Sequence, residues 1–360
     1  AVSKCGNGSP DNGRHKQIMG LLSDYSVKKH RQFLPSDDDS RCNWYENFNY
    51  LNPSSWSQSS KVPYVEATAL LDAYYLMPGR PDLAFGILWS ACNRSYSNLY
   101  LSKKSSVEEV LTDTKSIDYA SKKIAEKLAS GLYDENNNLI SIMDLLKEYI
   151  SNAPIKVFNF IASYILKGFA IEHHNSLVAS GNRAGKVRTI LISSNYKTFK
   201  KKFVELHGLI ASSAGVRYSE ICSPFEEPCG TLVNLGIPSE KADTARKLVH
   251  RVGSMIRNEV LAFDRSGGGR YFVNDEQWVS FLIRGFLYTS RNNAAHGNSP
   301  SRMNSVNYNG KYVTASAWTF LFCYCYLSLI LWCGGHMSEY DLAPIYANAK
   351  IDLKPKRPNN

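Results

Sequence analysis

The chain has 360 residues, 44% of them hydrophobic, and a formal net charge of +10. That apolar content excludes wholesale disorder, and the length allows one large domain or two ordinary ones. The basic balance, with a pI near 9.1, favours an anionic partner, of which nucleic acid is the simplest.

Residues 1–62 are polar and punctuated by turn signals, including Gly6-Asn7-Gly8, the Asp37-Asp38-Asp39 run and Asn52-Pro53. Trp44, Tyr45, Phe48, Tyr50 and Trp56 interrupt that polarity, so this segment reads as an irregular N-terminal arm that packs onto something. Residues 1–20 lack the apolar stretch of a secretion signal. A helix is expected over 66–76, stopped by Pro78-Gly79. From Asp82 the apolar residues Phe85, Trp89, Cys92, Tyr96 and Leu99 recur at three- and four-residue steps, which is helical spacing. Asn93 shares the face of Trp89, and an amide so placed calls for a hydrogen bond to another helix.

Further helices are expected over 107–112, 116–130, 140–151, 155–172, 197–211, 239–261 and 275–288. Ser239 is placed as an N-cap, and Asn274 with Gln277 has the pattern of a capping box. Residues 134–138 read as a surface turn, and strand-like alternation is confined to 187–192 and 308–313. Residues 316–333 carry no charge and have nearly the length of a membrane span. The expectation is a buried closing helix, or one in a dimer interface, and no membrane. The fold class is mainly all-α, a helical bundle with a few short strands. It divides into the arm 1–62, a helical domain over 63–345 with a central basic insertion at about 173–235, and a basic tail over 346–360. The eight cysteines include no Cys-x2-Cys pair. They read as free thiols of a cytoplasmic protein rather than as a zinc site or a secreted framework.

The chemistry-bearing stretch is Arg291-Asn292-Asn293-Ala-Ala-His296-Gly297. It sets a permanent cation, suited to a phosphate oxygen pair, five residues before a group that titrates near neutrality. On an ideal helix Arg291 and His296 lie about 140° apart, whereas Asn292 and His296 share a face. The Asn pair, Gly297 and Pro300 favour unwinding near 293–297, which would let the arginine and the histidine converge.

This segment resembles the signature of the HEPN family, all-helical domains that often act as metal-independent ribonucleases. That signature is Arg-x(4–6)-His with a polar residue after the arginine, and Arg291, Asn292 and His296 match all three positions. Residues 80–96 resemble the first helix of many HEPN proteins, with Phe85, Trp89 and Asn93 in a Phe-x3-Trp-x3-Asn pattern. The two matches cover roughly a tenth of the chain. The resemblance implies an endoribonuclease that needs no metal and no cofactor. His296 would move the 2′-hydroxyl proton or protonate the leaving 5′-oxygen, Arg291 would hold the phosphate, and Asn292 would orient the group beside it. It also implies a homodimer with facing motifs, a 2′,3′-cyclic phosphate product, and the role of a toxin or anti-phage effector restrained by an antitoxin or other regulatory partner. The alternative is a non-catalytic HEPN-like module that binds RNA, a nucleotide or a protein.

A basic segment supports contact with RNA. Arg183, Lys186, Arg188, Lys197, Lys200, Lys201 and Lys202 fall in a stretch without acids between Glu172 and Glu205. Tyr196 is placed there as a stacking surface. Arg265 and Arg270 flank three glycines in a second basic loop. His173-His174 has no companion ligand at metal spacing, so a surface or capping role is expected.

Overall fold

Helix follows from the apolar periodicity through most of the chain. The structure is a computed structural model that describes residues 12–32, 42–53, 56, 63–103, 111–181, 194–226, 233–267, 269–295 and 310–354. The helices, in chain order, are α1 (Asn12–Ser23), α2 (Val27–Arg31), α3 (Tyr64–Leu76), α4 (Pro81–Leu101), α5 (Asp113–Glu126), α6 (Ile142–Ser151), α7 (Ile155–Ala179) and α8 (Ser194–Lys202). They continue with α9 (Val204–Ile210), α10 (Val216–Ile221), α11 (Ala242–Ala262), α12 (Asp275–Phe281), α13 (Thr289–Ala295), α14 (Gly310–Cys333) and α15 (Ala343–Ala349). Two antiparallel hairpins add strands β1 (Gly131–Tyr133) with β2 (Leu139–Ser141), and β3 (Ser223–Glu226) with β4 (Val233–Gly236). The fold is mainly helical, as the periodicity requires.

Packing divides the chain into two compact units, one of residues 1–24 and 155–272, the other of 25–154 and 273–360. The segment set into the second unit, 155–272, is wider than the basic insertion read from sequence.

The second unit is built around α14, which lies along α4. Phe320, Leu321, Cys323, Leu327 and Ile330 are all buried, on every side of the helix. A helix apolar all round has no face to give to water, so it must be enclosed. By composition Lys311–Cys333 is apolar enough to cross a bilayer, yet 83% of that window is buried within the chain. Its hydroxyls turn back on the helix, Thr319 Oγ1 donating to the Ala315 carbonyl and Ser328 Oγ to that of Tyr324. Trp318 donates its indole N–H to the Tyr149 carbonyl at 2.8 Å and stacks on Phe322. Part of the arm also joins this core. Trp44, Phe48, Leu51 and Trp56 are buried, and the Leu51 N–H donates to the Tyr324 hydroxyl at 2.6 Å. The Asn348 side chain takes the place of a strand, accepting from the Asn49 N–H at 2.7 Å and donating to its carbonyl at 2.9 Å.

The first unit centres on α7 and α11. Gly253 lets these helices approach closely, since a Cβ there would meet the Asn159 side chain and lie 3.0 Å from its backbone nitrogen. His174 is buried on α7, and His173 stacks on Phe169. Neither belongs to a group of potential metal ligands among the described residues.

Several boundaries differ from the expectation. Residues 311–313 are the first turn of α14 rather than a strand, because an isolated strand has no partner while an adjoining helix extends at little cost. Residues 134–138 turn a hairpin: the Asp134 carboxylate accepts from the Asn136 and Asn138 N–H groups, and Asn137 takes a left-handed backbone. Ser239 opens a 3-10 turn before α11 and makes no capping bond. Asn274 does cap α12, accepting from the Gln277 N–H at 2.8 Å, but the Gln277 side chain reaches the N–H of Val273 rather than that of Asn274. The helix expected over 107–112 lies almost entirely outside the described residues, and the strand-like piece 187–192 lies wholly outside them. The described cysteines are free thiols.

Trp318→Ala should lower the stability of the second unit by about 3–5 kcal/mol, the range for truncating a large buried aromatic. Urea unfolding followed by circular dichroism would measure the loss.

Candidate active site and basic surface

The helix that carries Arg291 is wound unevenly. Between α12 and α13, residues 282–288 form a π-helical segment, a widened turn often found where function needs a side chain re-aimed. Thr289 Oγ1 donates to the Arg284 carbonyl five residues back, at 2.8 Å, and Ser290 Oγ donates to that of Phe286. Helix then runs on through Ala295, so Arg291 and Asn292 sit in regular α-helix. Unwinding at Asn293, Ala294 and Ala295 is thereby overturned, since the apolar face of α12 and the π segment carries the helix past the Asn pair. His296 and Gly297 lie outside the described residues.

Arg291 and Asn292 are half-buried. Arg291 Nη1 donates to Asn292 Oδ1 at 2.8 Å, which occupies the amide oxygen and leaves its N–H donors available. Among the described residues no carboxylate pairs with Arg291. The Arg291 charge does reach α4. Burial raises the Tyr96 phenol above its ordinary range, Asp113 adds to the rise, and Arg291 opposes it. The hydroxyl of Tyr96 and the indole N–H of Trp89 are buried without a hydrogen-bond partner among the described residues. Phe85 and Trp89 are core residues, and Trp89 packs against Tyr288 and Tyr326. Asn93 is half-buried and makes none of the described side-chain hydrogen bonds, so the helix-to-helix bond expected of it is not formed among the described residues.

A second arginine on the same helix lies outside the motif. Arg284 is buried, its Nε and Nη2 donating to Asp118 Oδ1 at 3.1 and 2.7 Å and Nη2 to the Thr114 carbonyl at 3.0 Å. Its guanidinium also lies near the Tyr288 ring. Every apolar residue from Trp278 to Leu287 is buried, so Arg284 stands in a continuous apolar run. A charge inside such a run was the available signal, because a buried arginine needs a partner. Arg284 is thus held by α5, while Arg291, two turns on, is free to meet an anion. Glu276 is exposed in the first turn of α12, about 20 Å along the helix from Arg291, so it is no partner for it.

The basic residues are dispersed. Arg183, Lys186 and Arg188 lie outside the described residues. Lys197, Lys200 and Lys201 are exposed on α8, and Lys202 is half-buried. Lys200 pairs with Glu172 at 2.8 Å. Tyr196 is buried and bonded to Glu172 and His207, which overturns its reading as a stacking surface: its ring fills the helix interface instead. Phe199 and Phe203 are core residues. Arg265 is exposed in the turn after α11, and Arg270 is exposed with its guanidinium over the Tyr271 ring. Burial raises the Glu259 carboxyl, against the lowering effect of Arg270. The described members of the basic set belong to the first unit, and Arg291 with Asn292 to the second. The chain matches no family model, no curated protein and no solved structure.

Proposed function

We propose that the chain is a metal-independent endoribonuclease of HEPN type, with Arg291, Asn292 and His296 as its catalytic residues. The observation that carries this reading is the state of Arg291. It is a half-buried guanidinium with no carboxylate partner among the described residues, bonded to the amide of Asn292 and five residues before a histidine. A buried-side arginine without an acid is an anion receptor, and a phosphodiester is the anion that a neighbouring imidazole can act on. Arg291 would offset the charge that develops on the phosphoryl oxygens, and the free Asn292 N–H groups would donate to the same phosphate. His296 would take the 2′-hydroxyl proton, so that the 2′-oxygen attacks phosphorus and the 5′-oxygen leaves, with a 2′,3′-cyclic phosphate as product.

One imidazole cannot readily serve as base and acid in a single turnover, so a homodimer that brings two copies of the motif together is part of the proposal. Its basis is the number of proton carriers alone. The apolar stretch 316–333, expected as a closing helix or as part of a dimer interface, is largely enclosed within one chain and gives no further basis for a dimer. The role of a cytoplasmic toxin or anti-phage effector held in check by a regulatory partner follows from the same reading, with RNA as the substrate.

Arg291→Ala and His296→Ala should each reduce cleavage of total RNA at least a hundredfold while leaving the thermal midpoint nearly unchanged. Asn292→Ala should fall between these and the wild type. Arg284→Ala should behave oppositely and destabilise the protein by about 2–4 kcal/mol, because it removes a buried guanidinium together with its ion pair to Asp118 and its bond to the Thr114 carbonyl. Full cleavage by the Arg291 or His296 variant would remove the assignment. RNA binding without cleavage by the wild type would favour the non-catalytic module.

Cleavage should persist in EDTA, leave a cyclic phosphate, and be blocked by a 2′-deoxy substitution at the scissile nucleotide. Dependence on magnesium, or a 5′-phosphate product, would point to a metal nuclease.

A further inference from the structure

Helix α11 is apolar on one side and basic on the other. Ala245, Leu248, Val252, Ile256 and Val260 are buried, on the side that packs on α7. The opposite face exposes Asp243, Arg246, Lys247, His250 and Arg251. These five follow one another at three- and four-residue steps, so on a regular α-helix their side chains are neighbours in one patch. No acid occurs between Asp243 and Glu259. Arg257 stands apart from the patch: it is half-buried, with its guanidinium 6.0 Å from the centre of the Phe158 ring of α7.

One carboxylate serves two cations here. Asp243 meets Arg246 Nη2 at 3.2 Å and Lys247 Nζ at 3.1 Å. The next turn lacks such a partner, since neither His250 nor Arg251 pairs with an acid among the described residues. Lys247 and Arg251 stand at i and i+4, where like charges weaken a helix. The Lys247 side chain is 80% exposed, so its pairing with Asp243 contributes little in water. An anion of higher charge density can therefore displace that pairing at little cost.

We infer that this face of α11 is a docking surface for the phosphodiester backbone of RNA, with Lys247 and Arg251 each holding a phosphate. The guanidinium of Arg251 can meet two oxygens of one phosphate, and the ammonium of Lys247 acts as a point charge on the next. A bound polyanion turns the repulsion between these cations into a shared attraction, and His250 adds an N–H donor beside them. From Arg246 to Arg251 the helix rises about 7.5 Å, room for neighbouring phosphates of one strand. A membrane surface fits less well. Interfacial helices carry apolar residues beside their basic ones, and none of the large apolar side chains exposed among the described residues lies on α11. RNA as the polymer rests on the nuclease reading, whereas the contact itself meets phosphates alone and carries no sequence preference. The surface belongs to the unit that does not contain Arg291.

The test is binding of the full-length protein to a short single-stranded 2′-O-methyl RNA, which keeps the phosphates and lacks the nucleophile. Fluorescence anisotropy is read over a range of potassium chloride concentrations, and the logarithm of the affinity against that of the salt gives a slope. Lys247→Gln and Arg251→Gln should each flatten the slope by about 0.7, the value for one phosphate contact on a single strand. Both changes leave a good helix former at an exposed position, so the thermal midpoint should not fall. Asp243→Asn, which releases Arg246 and Lys247 from their internal partner, should tighten binding. Lys122→Gln removes the same unit charge from an exposed position on α5 of the second unit and should leave the slope unchanged. Equal flattening by Lys122→Gln, or an unchanged slope in both α11 variants, overturns the proposal. So does loss of binding to phosphatidylserine-containing vesicles in the α11 variants with RNA binding intact, which would make this a membrane surface. Cleavage of unmodified RNA is followed in parallel. Intact cleavage with unchanged slopes removes the α11 contact alone, and flattened slopes without any cleavage support the contact while removing the nuclease.

Discussion

An apolar helix with no polar face sets the terms for the second unit. Because α14 cannot meet water on any side, other elements must close around it, and α3, α4, α5, the π segment and α15 are placed accordingly. The closeness of that enclosure is visible at Cys92 and Cys323, whose thiols lie 3.8 Å apart across the seam between α4 and α14. Burial raises the Cys92 thiol well above its ordinary range, which keeps it protonated and inert. Some of the polar groups that the enclosure traps are satisfied locally, whereas the hydroxyls of Tyr96 and Tyr326 and the Trp89 indole N–H have no hydrogen-bond partner among the described residues. Tyr324 receives the Leu51 N–H and meets the Tyr74 hydroxyl at 2.5 Å, so one phenol on α14 fastens both the arm and α3.

Arg291 stands out through a contrast between charges that are engaged and charges that are not. Arg284 and Arg291 are seven residues apart on one helix, yet the first is held by Asp118 and a carbonyl while the second meets only a neighbouring amide. On α8, Lys200 is paired with Glu172, whereas the other exposed lysines 197 and 201 point to no acid among the described residues. A salt bridge at a half-exposed site contributes little to stability. Its effect here is organisational: Glu172 orders Tyr196 and Lys200 together, and through Tyr196 it fixes the imidazole of His207.

The helices were legible in the sequence because their apolar residues repeat at the helical period over many turns. The run from Phe85 to Leu99 and the uncharged stretch ending at Cys333 both emerge as buried helices. Local pattern failed where a tertiary partner decided the outcome. The π segment at 282–288, which contains Arg284, leaves no mark in the periodicity. Neither hairpin shows in the sequence pattern, because three- and four-residue strands are too short to alternate visibly. Tyr196 looked like an exposed ring among lysines, and only the proximity of Gly168 and His207, one on α7 and one on α9, makes it a core residue. Of the candidate residues, Arg291 is marked by its motif, while the only mark of Arg284 is its place inside a continuous apolar run.

The order in which the second unit is encoded has a consequence for synthesis. Helix α4 is complete at Leu101, but α14, which covers its largest apolar face, is complete only at Cys333. More than two hundred residues intervene, and at roughly 5–20 residues per second their translation takes tens of seconds. During that interval Trp89 lacks the cover that Tyr326 of α14 gives it, while residues 155–272 of the α7–α11 unit lie within the intervening stretch and can fold as they emerge. The nascent chain is therefore exposed to aggregation for as long as α14 is missing. A holdase that binds extended apolar segments would find its substrate in that window, and truncation before residue 310 would leave the window permanently open.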